Sequence, residues 1–266
     1  MGLFNMIKIM ADRLATFPLE AAEGFADEHM RLAAATVISA TVSRYIELAQ
    51  SLAHNRAPRM MTVYDFPMGL QPSLSFRRFV HRFAKYTRGC VDSFTLALYY
   101  VGRLVDGGRA PLDTSSCYRV FTGCFVIAAK FLDDIPHSNK HIAKVAGLET
   151  REVNAIERET LHLLDFNLAV DALNPQWCMF HNAIFKWAAI SFRECHSEPA
   201  PTDPALANAV IDEEAVKRAW YLDYQFKHII EPQQFAQVFQ VSQEMFRQSS
   251  SRLHDQSVSE DVDMDV

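Results

Sequence analysis

Residues 116–134, SCYRVFTGCFVIAAKFLDD, decide how the rest of this sequence is read. Wound on a helix, the apolar side chains do not keep to one stripe. Val120, Cys124, Ile127 and Phe131 fall on one side, Phe121, Phe125, Ala128 and Leu132 along the flank, and Val126 nearly opposite. A helix that is apolar most of the way round needs neighbours on every side. Asp113, Thr114 and Ser115 offer oxygens to cap its start, and Pro136 closes it two residues beyond the paired aspartates, so the spacing predicts about five turns. The other segments are expected to pack about it.

Working outward, four more helical stretches surround this one. Residues 75–88 set Phe76, Phe79, Val80, Phe83 and Tyr86 on one face and stop at Gly89. Residues 92–105 follow, with Asp92 as the expected cap and Gly107-Gly108 as the stop. After the central helix, Ser138 caps a short helix over 139–146 that closes at Gly147. Thr150 starts a fifth, which carries Glu152 in the first turn, where the dipole favours a negative charge, and reaches about Asn167.

On the amino-terminal side, residues 2–16 place Leu3, Ile7, Met10 and Leu14 along one face of a short helix, expected to dock on the core rather than lie on a membrane. Residues 26–54 form a longer helix with Val37, Val42, Ile46, Ala49 and Leu52 in a stripe. On the carboxyl side, helices are expected over 176–192, 209–229 and 232–248, with a proline-rich loop at 198–204. No run alternates as a strand would, so the class is all-α. The divisions are N-terminal helices (1–54), a linker with three prolines (55–72), a five-helix unit (73–170), a helical extension (171–248) and an acidic tail (249–266) expected to be disordered.

Hydrophobic residues make up 49% of the chain, enough for a buried core. The five cysteines are odd in number and form no CxxC pair, a usage that points to a reducing compartment, cytoplasm or nucleus. No apolar run approaches the roughly 20 residues of a membrane span, so no membrane partner is expected. The net charge is −6, and the tail carries five acids against Arg252, leaving the remainder nearly neutral. That argues against nucleic acid as a partner. GxSxG, HExxH, Walker A and GxGxxG patterns are absent, so neither catalysis nor a cofactor is expected. His137 with His141, and Cys178 with His181, have the spacing of half a zinc site each, but no second pair completes either, and no metal is expected.

Two charges stand out. On the fifth helix Glu157 falls inside the arc of Ile156, Leu161, Leu163, Leu164 and Leu168, so it needs a partner, within this chain or on another protein. Lys130 is the one charge in the middle of the last two turns of the central helix, with Asp133 and Asp134 just beyond, where the helix dipole and its neighbours already favour it. Arg82, at the edge of an apolar face beside Phe79 and Tyr86, reads by itself as a surface arginine lying along its stem.

Four segments together resemble the cyclins, and within them the P- or U-type group: AAKFLDD (128–134), SNKHIAKVAGL (138–148), NAIERETLHLLDFNL (154–168) and FVHRFAKY (79–86). The resemblance covers roughly residues 36–170. It implies a single five-helix cyclin box with flanking N- and C-terminal helices, and a protein that binds and activates a cyclin-dependent protein kinase as a heterodimer. By the same resemblance Lys130 and Glu157 match the lysine and glutamate that grip the kinase beside its C-helix. The kinase would then be the partner that Glu157 awaits, with apolar contacts from Ile127, Phe131, Leu161 and Phe166. Arg82 matches the arginine that buttresses the box. One departure stands out: where the family usually has Tyr-x-Asp-Arg, this chain has Tyr100-Val101-Gly102-Arg103, which removes the aspartate that would hold Arg82 and leaves a kinase-independent scaffold as the alternative role.

Overall fold

The central segment forms its helix from Cys117 to Leu132, and every side chain from Cys117 to Ala129 is buried except the half-buried Tyr118. The computed structural model describes residues 2–14, 27–51, 61–66, 72–171, 173–194 and 213–230. Among them are nine α-helices and no strand: α1 (Gly2–Asp12), α2 (Asp27–Ser51), α3 (Phe76–Thr87), α4 (Val91–Asp106), α5 (Cys117–Leu132), α6 (Asn139–Ala146), α7 (Thr150–Leu163), α8 (Pro175–Glu194) and α9 (Glu213–Ile229). The expected helix over 232–248 and the acidic tail lie outside the described residues.

Helix α5 packs against α4 and α7 along most of its length and touches α3 and α6. It does not organise the fold alone. Helix α2 packs on α3, α4, α8 and α9, and its residues 33–42 are all buried. The expected single stripe on α2 is therefore too narrow, because helices cover it on several sides. By length and composition the segment Glu28–Ser51 could cross a membrane, contrary to the reading of the apolar runs, but 78% of its apolar window is buried inside the bundle. Helix α1 lies on α4 and α8 with Leu3, Ile7 and Met10 buried, and Leu14 is buried just beyond it.

Local chemistry sets the helix ends. Ser138 Oγ accepts the His141 amide at 3.4 Å, and α6 stops at Gly147, whose φ of 70° suits a residue without a side chain. Helix α7 begins with a capping box between Glu149 and Glu152. Three ends differ from expectation. Cys90, not Asp92, caps α4, and its sulfur accepts the Ser93 amide at 3.3 Å. Asp113 forms a turn one step ahead of α5, its Oδ1 accepting the amides of Ser115 and Ser116. Helix α7 ends at Leu163 because Asp165 and Phe166 take left-handed backbone, with φ of 54° and 53°.

The expected linker is also corrected in part. Residues 61–66 are docked on the bundle: Tyr64 is buried, and its hydroxyl lies 3.0 Å from Thr160 Oγ1. Asp65 accepts from Ser115 Oγ at 3.1 Å. A segment between prolines whose side chains are held by the bundle is a strap, which composition alone does not separate from a spacer.

Candidate functional site

Helix α5 leaves the core abruptly. After thirteen residues of interior it exposes Lys130, Phe131 and Leu132 in succession. Lys130 Nζ lies 2.6 Å from Glu157 Oε1 of α7. The second carboxylate oxygen accepts from Asn139 Nδ2, at the start of α6, also at 2.6 Å, and the same nitrogen lies 2.7 Å from Asn154 Oδ1. Three helices thus converge on one carboxylate.

The partner that Glu157 required is supplied from within the chain, which corrects the expectation that it waits for another protein. Each oxygen has a donor, so the charge is compensated before any docking. The pair is nevertheless open on the outside, with the Lys130 side chain 38% exposed and that of Glu157 17%. It is a preformed, half-solvated ion pair rather than a sealed one.

The four apolar residues expected around it lie in four different settings. Phe131 is 46% exposed and stands with Leu132 and the 90% exposed Ile135 at the end of α5. Phe166 is 61% exposed beyond α7, its ring edge-on to His162 at 5.2 Å, and no hydrogen bond or ring contact among the described residues joins it to the ion pair. Leu161 is half-buried against the core. Ile127 must be corrected: at 2% exposure its side chain belongs to the interior and has no surface to offer a partner. Its place on an all-round apolar helix left the direction undecided until the packing was known.

Two contacts that sequence reasoning missed hold the site in shape. Gly123 lets α5 and α7 approach closely, since a Cβ there would overlap Thr160 Oγ1 and come within 2.8 Å of Ile156 Cγ2. Arg119, buried, pairs with Glu152 and donates to the Val63 carbonyl at 3.0 Å, while its guanidinium lies 4.5 Å from the centre of the Phe66 ring. The signal was available: Arg119 is a charge in the first turns of a helix that is otherwise apolar.

Arg82 reaches across to α6 and donates to the Lys144 carbonyl at 3.4 Å. The missing aspartate on α4 has a packing reason, because a Cβ on Gly102 would sit 3.2 Å from the Phe4 ring of α1. The glycine is a seat for that ring, which also meets Tyr99 and Phe180 edge-on. His137 and His141 stack at 4.2 Å, and their Nε2–H groups donate to the carbonyls of Thr87 and Tyr86, closing the end of α3. Asp133 ties the same region to α4, its Oδ1 accepting from Ser93 Oγ at 2.8 Å. The loop after Lys130 is thereby pinned at both sides.

Burial also raises two thiols of α5. Cys117 is pushed up to about 12, and the wholly enclosed Cys124 is raised further. Both stay protonated in neutral solution and serve as packing groups.

Comparison with known proteins places the chain in a family. Residues 3–168 match the family model described as Cyclin. The chain is 30% identical to Cyclin-U1-1 of Arabidopsis thaliana over 136 residues, covering 51% of this chain and 65% of the relative. It is 30% identical to Cyclin-U3-1 of the same plant over 153 residues, 56% of this chain and 68% of the relative. It is 36% identical to Cyclin-P3-1 of Oryza sativa subsp. japonica over 100 residues, 38% of this chain and 42% of the relative. The match therefore spans about two thirds of the first two relatives and less than half of the third.

Proposed function

The chain belongs to the cyclin family, among its P- and U-type members, and from that premise we propose that it binds and activates a cyclin-dependent protein kinase as the non-catalytic subunit of a heterodimer. The observation that carries this reading is the point where α5 surfaces. An ion pair already formed between Lys130 and Glu157 is bordered by Phe131, Leu132 and Ile135, apolar side chains that a monomer would not expose together without use.

A protein kinase is active only when its C-helix glutamate reaches the catalytic lysine and its metal-binding aspartate is in place. A surface that holds only the inward C-helix shifts the population toward that state. Phe131 and Ile135 supply apolar area for such a helix. The Lys130–Glu157 pair supplies charges of both signs at fixed positions, which select register and orientation more than affinity.

The test is capture of a proline-directed kinase from native cells, followed by activity of the purified pair. Lys130→Glu and Glu157→Ala are expected to lose capture and activation while keeping the thermal transition of a folded protein. Full binding by both variants would overturn the site. Binding without activation would favour the scaffold role.

A further inference from the structure

The outward side of α3 is lined with cations. Phe76, Phe79, Val80, Phe83, Ala84 and Thr87 are buried, which leaves Arg78, Arg82 and Lys85 along the opposite side at successive turns. On one flank Arg82 meets the Lys144 carbonyl, and α6 turns Lys140 and Lys144 outward one turn apart. On the other flank Arg31 of α2 is fixed by its Nε, which donates to the Ala84 carbonyl at 2.8 Å. Arg88 stands just past the end of α3 with a φ of 48°. Arg31, Lys85 and Arg88, with Tyr86 and Glu28, line a hollow of about 510 Å³ between α2 and α3. Tyr86 is exposed beside it, its ring centre 5.6 Å from Lys85 Nζ.

Several cations elsewhere are paired, Arg44 with Glu47, Arg77 with Asp223, Arg109 with Asp165, Arg119 with Glu152, Lys130 with Glu157 and Arg151 with Glu149, while others such as Arg103 and Lys186 donate to backbone carbonyls instead. None of the seven on this face is paired with a carboxylate among the described residues. Arg78 Nε is in addition buried without an acceptor. Clustered like charges repel, and they do so here on a chain whose net charge is −6. An unneutralised patch of this kind focuses a field that attracts anions.

We infer that the α3–α6 face is a docking surface for a short acidic peptide segment of a partner protein, with a phosphorylated serine or threonine of that segment seated in the hollow between α2 and α3. The length fits. Helix α3 has twelve residues, about 18 Å of axis, which an extended peptide spans in about five or six residues. The phosphate is singled out by the hollow, where two guanidinium groups and an ammonium can meet several of its oxygens together. Glu28 on the rim opposes it and sets a sign that can be tested.

The surface is separate from the Lys130–Glu157 pair, so its test needs no kinase. The probe is a labelled short peptide with a central phosphothreonine among glutamates, read by fluorescence anisotropy with the full chain. Saturable binding that weakens as salt rises from about 0.05 to 0.5 M is expected. The unphosphorylated peptide and the double variant Lys85→Glu/Arg88→Glu should each bind about tenfold more weakly or worse. Arg82→Glu/Lys144→Glu should weaken binding on the other flank, Glu28→Gln should tighten it, and Lys227→Glu on α9 should leave it unchanged. Equal binding of phosphorylated and plain peptides would overturn the inference, as would indifference to Lys85→Glu/Arg88→Glu. Tighter binding to duplex DNA or to anionic vesicles than to the peptide would also overturn it. So would binding that emerges only when residues 249–266 are removed, because the surface would then serve the chain's own acidic segment.

Discussion

Glu152 holds Arg119 through one carboxylate oxygen and caps its own helix with the other, which accepts the Glu149 amide at 2.8 Å. One side chain thus starts α7 and anchors the buried guanidinium that pins residues 61–66 over the bundle. Removing either partner leaves the other without its counter-charge, so Arg119→Ala or Glu152→Ala is expected to cost about 3–5 kcal/mol. Urea unfolding checks this. Because Arg119 is the more buried of the two, Glu152→Ala, which strands its guanidinium, should lose more through this effect than Arg119→Ala, which leaves a carboxylate that water can reach.

Gly123→Ala puts a methyl group where Thr160 and Ile156 already stand. Overpacking of this kind costs about 1–3 kcal/mol, and relief requires α5 and α7 to move apart. Kinase binding should fall along with stability, since the same two helices carry Lys130 and Glu157. Gly123→Ala combined with Thr160→Ala, which removes the hydroxyl oxygen nearest the new methyl, should regain part of both losses, a result readable from paired melting and binding measurements.

Restoring the family's usual residue should harm this protein. Gly102→Asp would drive a side chain into the Phe4 ring and place a carboxylate in an apolar seat. The expected result is release of α1, seen as faster hydrogen exchange of the amides of residues 3–10 with slower change elsewhere. Pairing it with Phe4→Ala makes room, and should recover part of the stability lost.

Burial raises Cys117 to about 12 from its usual 9.0 and Tyr118 to about 12 from 10.0, and it raises Tyr64, Tyr100 and Cys124 as well. For each, the folded state favours the neutral form. Their contribution is therefore full below pH 9 and is lost as pH rises toward 12 and beyond. The urea midpoint should be level near pH 8 and fall steadily above pH 9. In the native protein at pH 8, an alkylating reagent should leave Cys117 and Cys124 unmodified until urea opens the core.

Much of the helix plan was legible because helix ends are local events. Ser138, Gly147 and Glu152 act within one turn of themselves, and they stand where the spacing placed them. The demand for a partner at Glu157 was also legible, since a carboxylate on an apolar face is a contradiction in one dimension. Who would meet it was not, because Lys130 and Asn139 lie 27 and 18 residues away and only packing brings them near. Ile127 and Phe131 sit one turn apart on the same helix, yet one faces the interior and the other solvent. Periodicity cannot draw that line where a helix is apolar on all sides. The strap at 61–66 was hidden for the opposite reason, since its anchors are single side chains gripped by helices far along the chain.

The amides of Leu3 and Phe4 are received by Asp106, at 2.7 and 2.9 Å, across a separation of 103 residues in the first case. A ribosome making about 5–20 residues per second needs about 5–20 seconds to cover that stretch. For that interval α1 has neither its acceptor nor the glycine notch for its phenyl ring, so it cannot take its place in the bundle until α4 has been made.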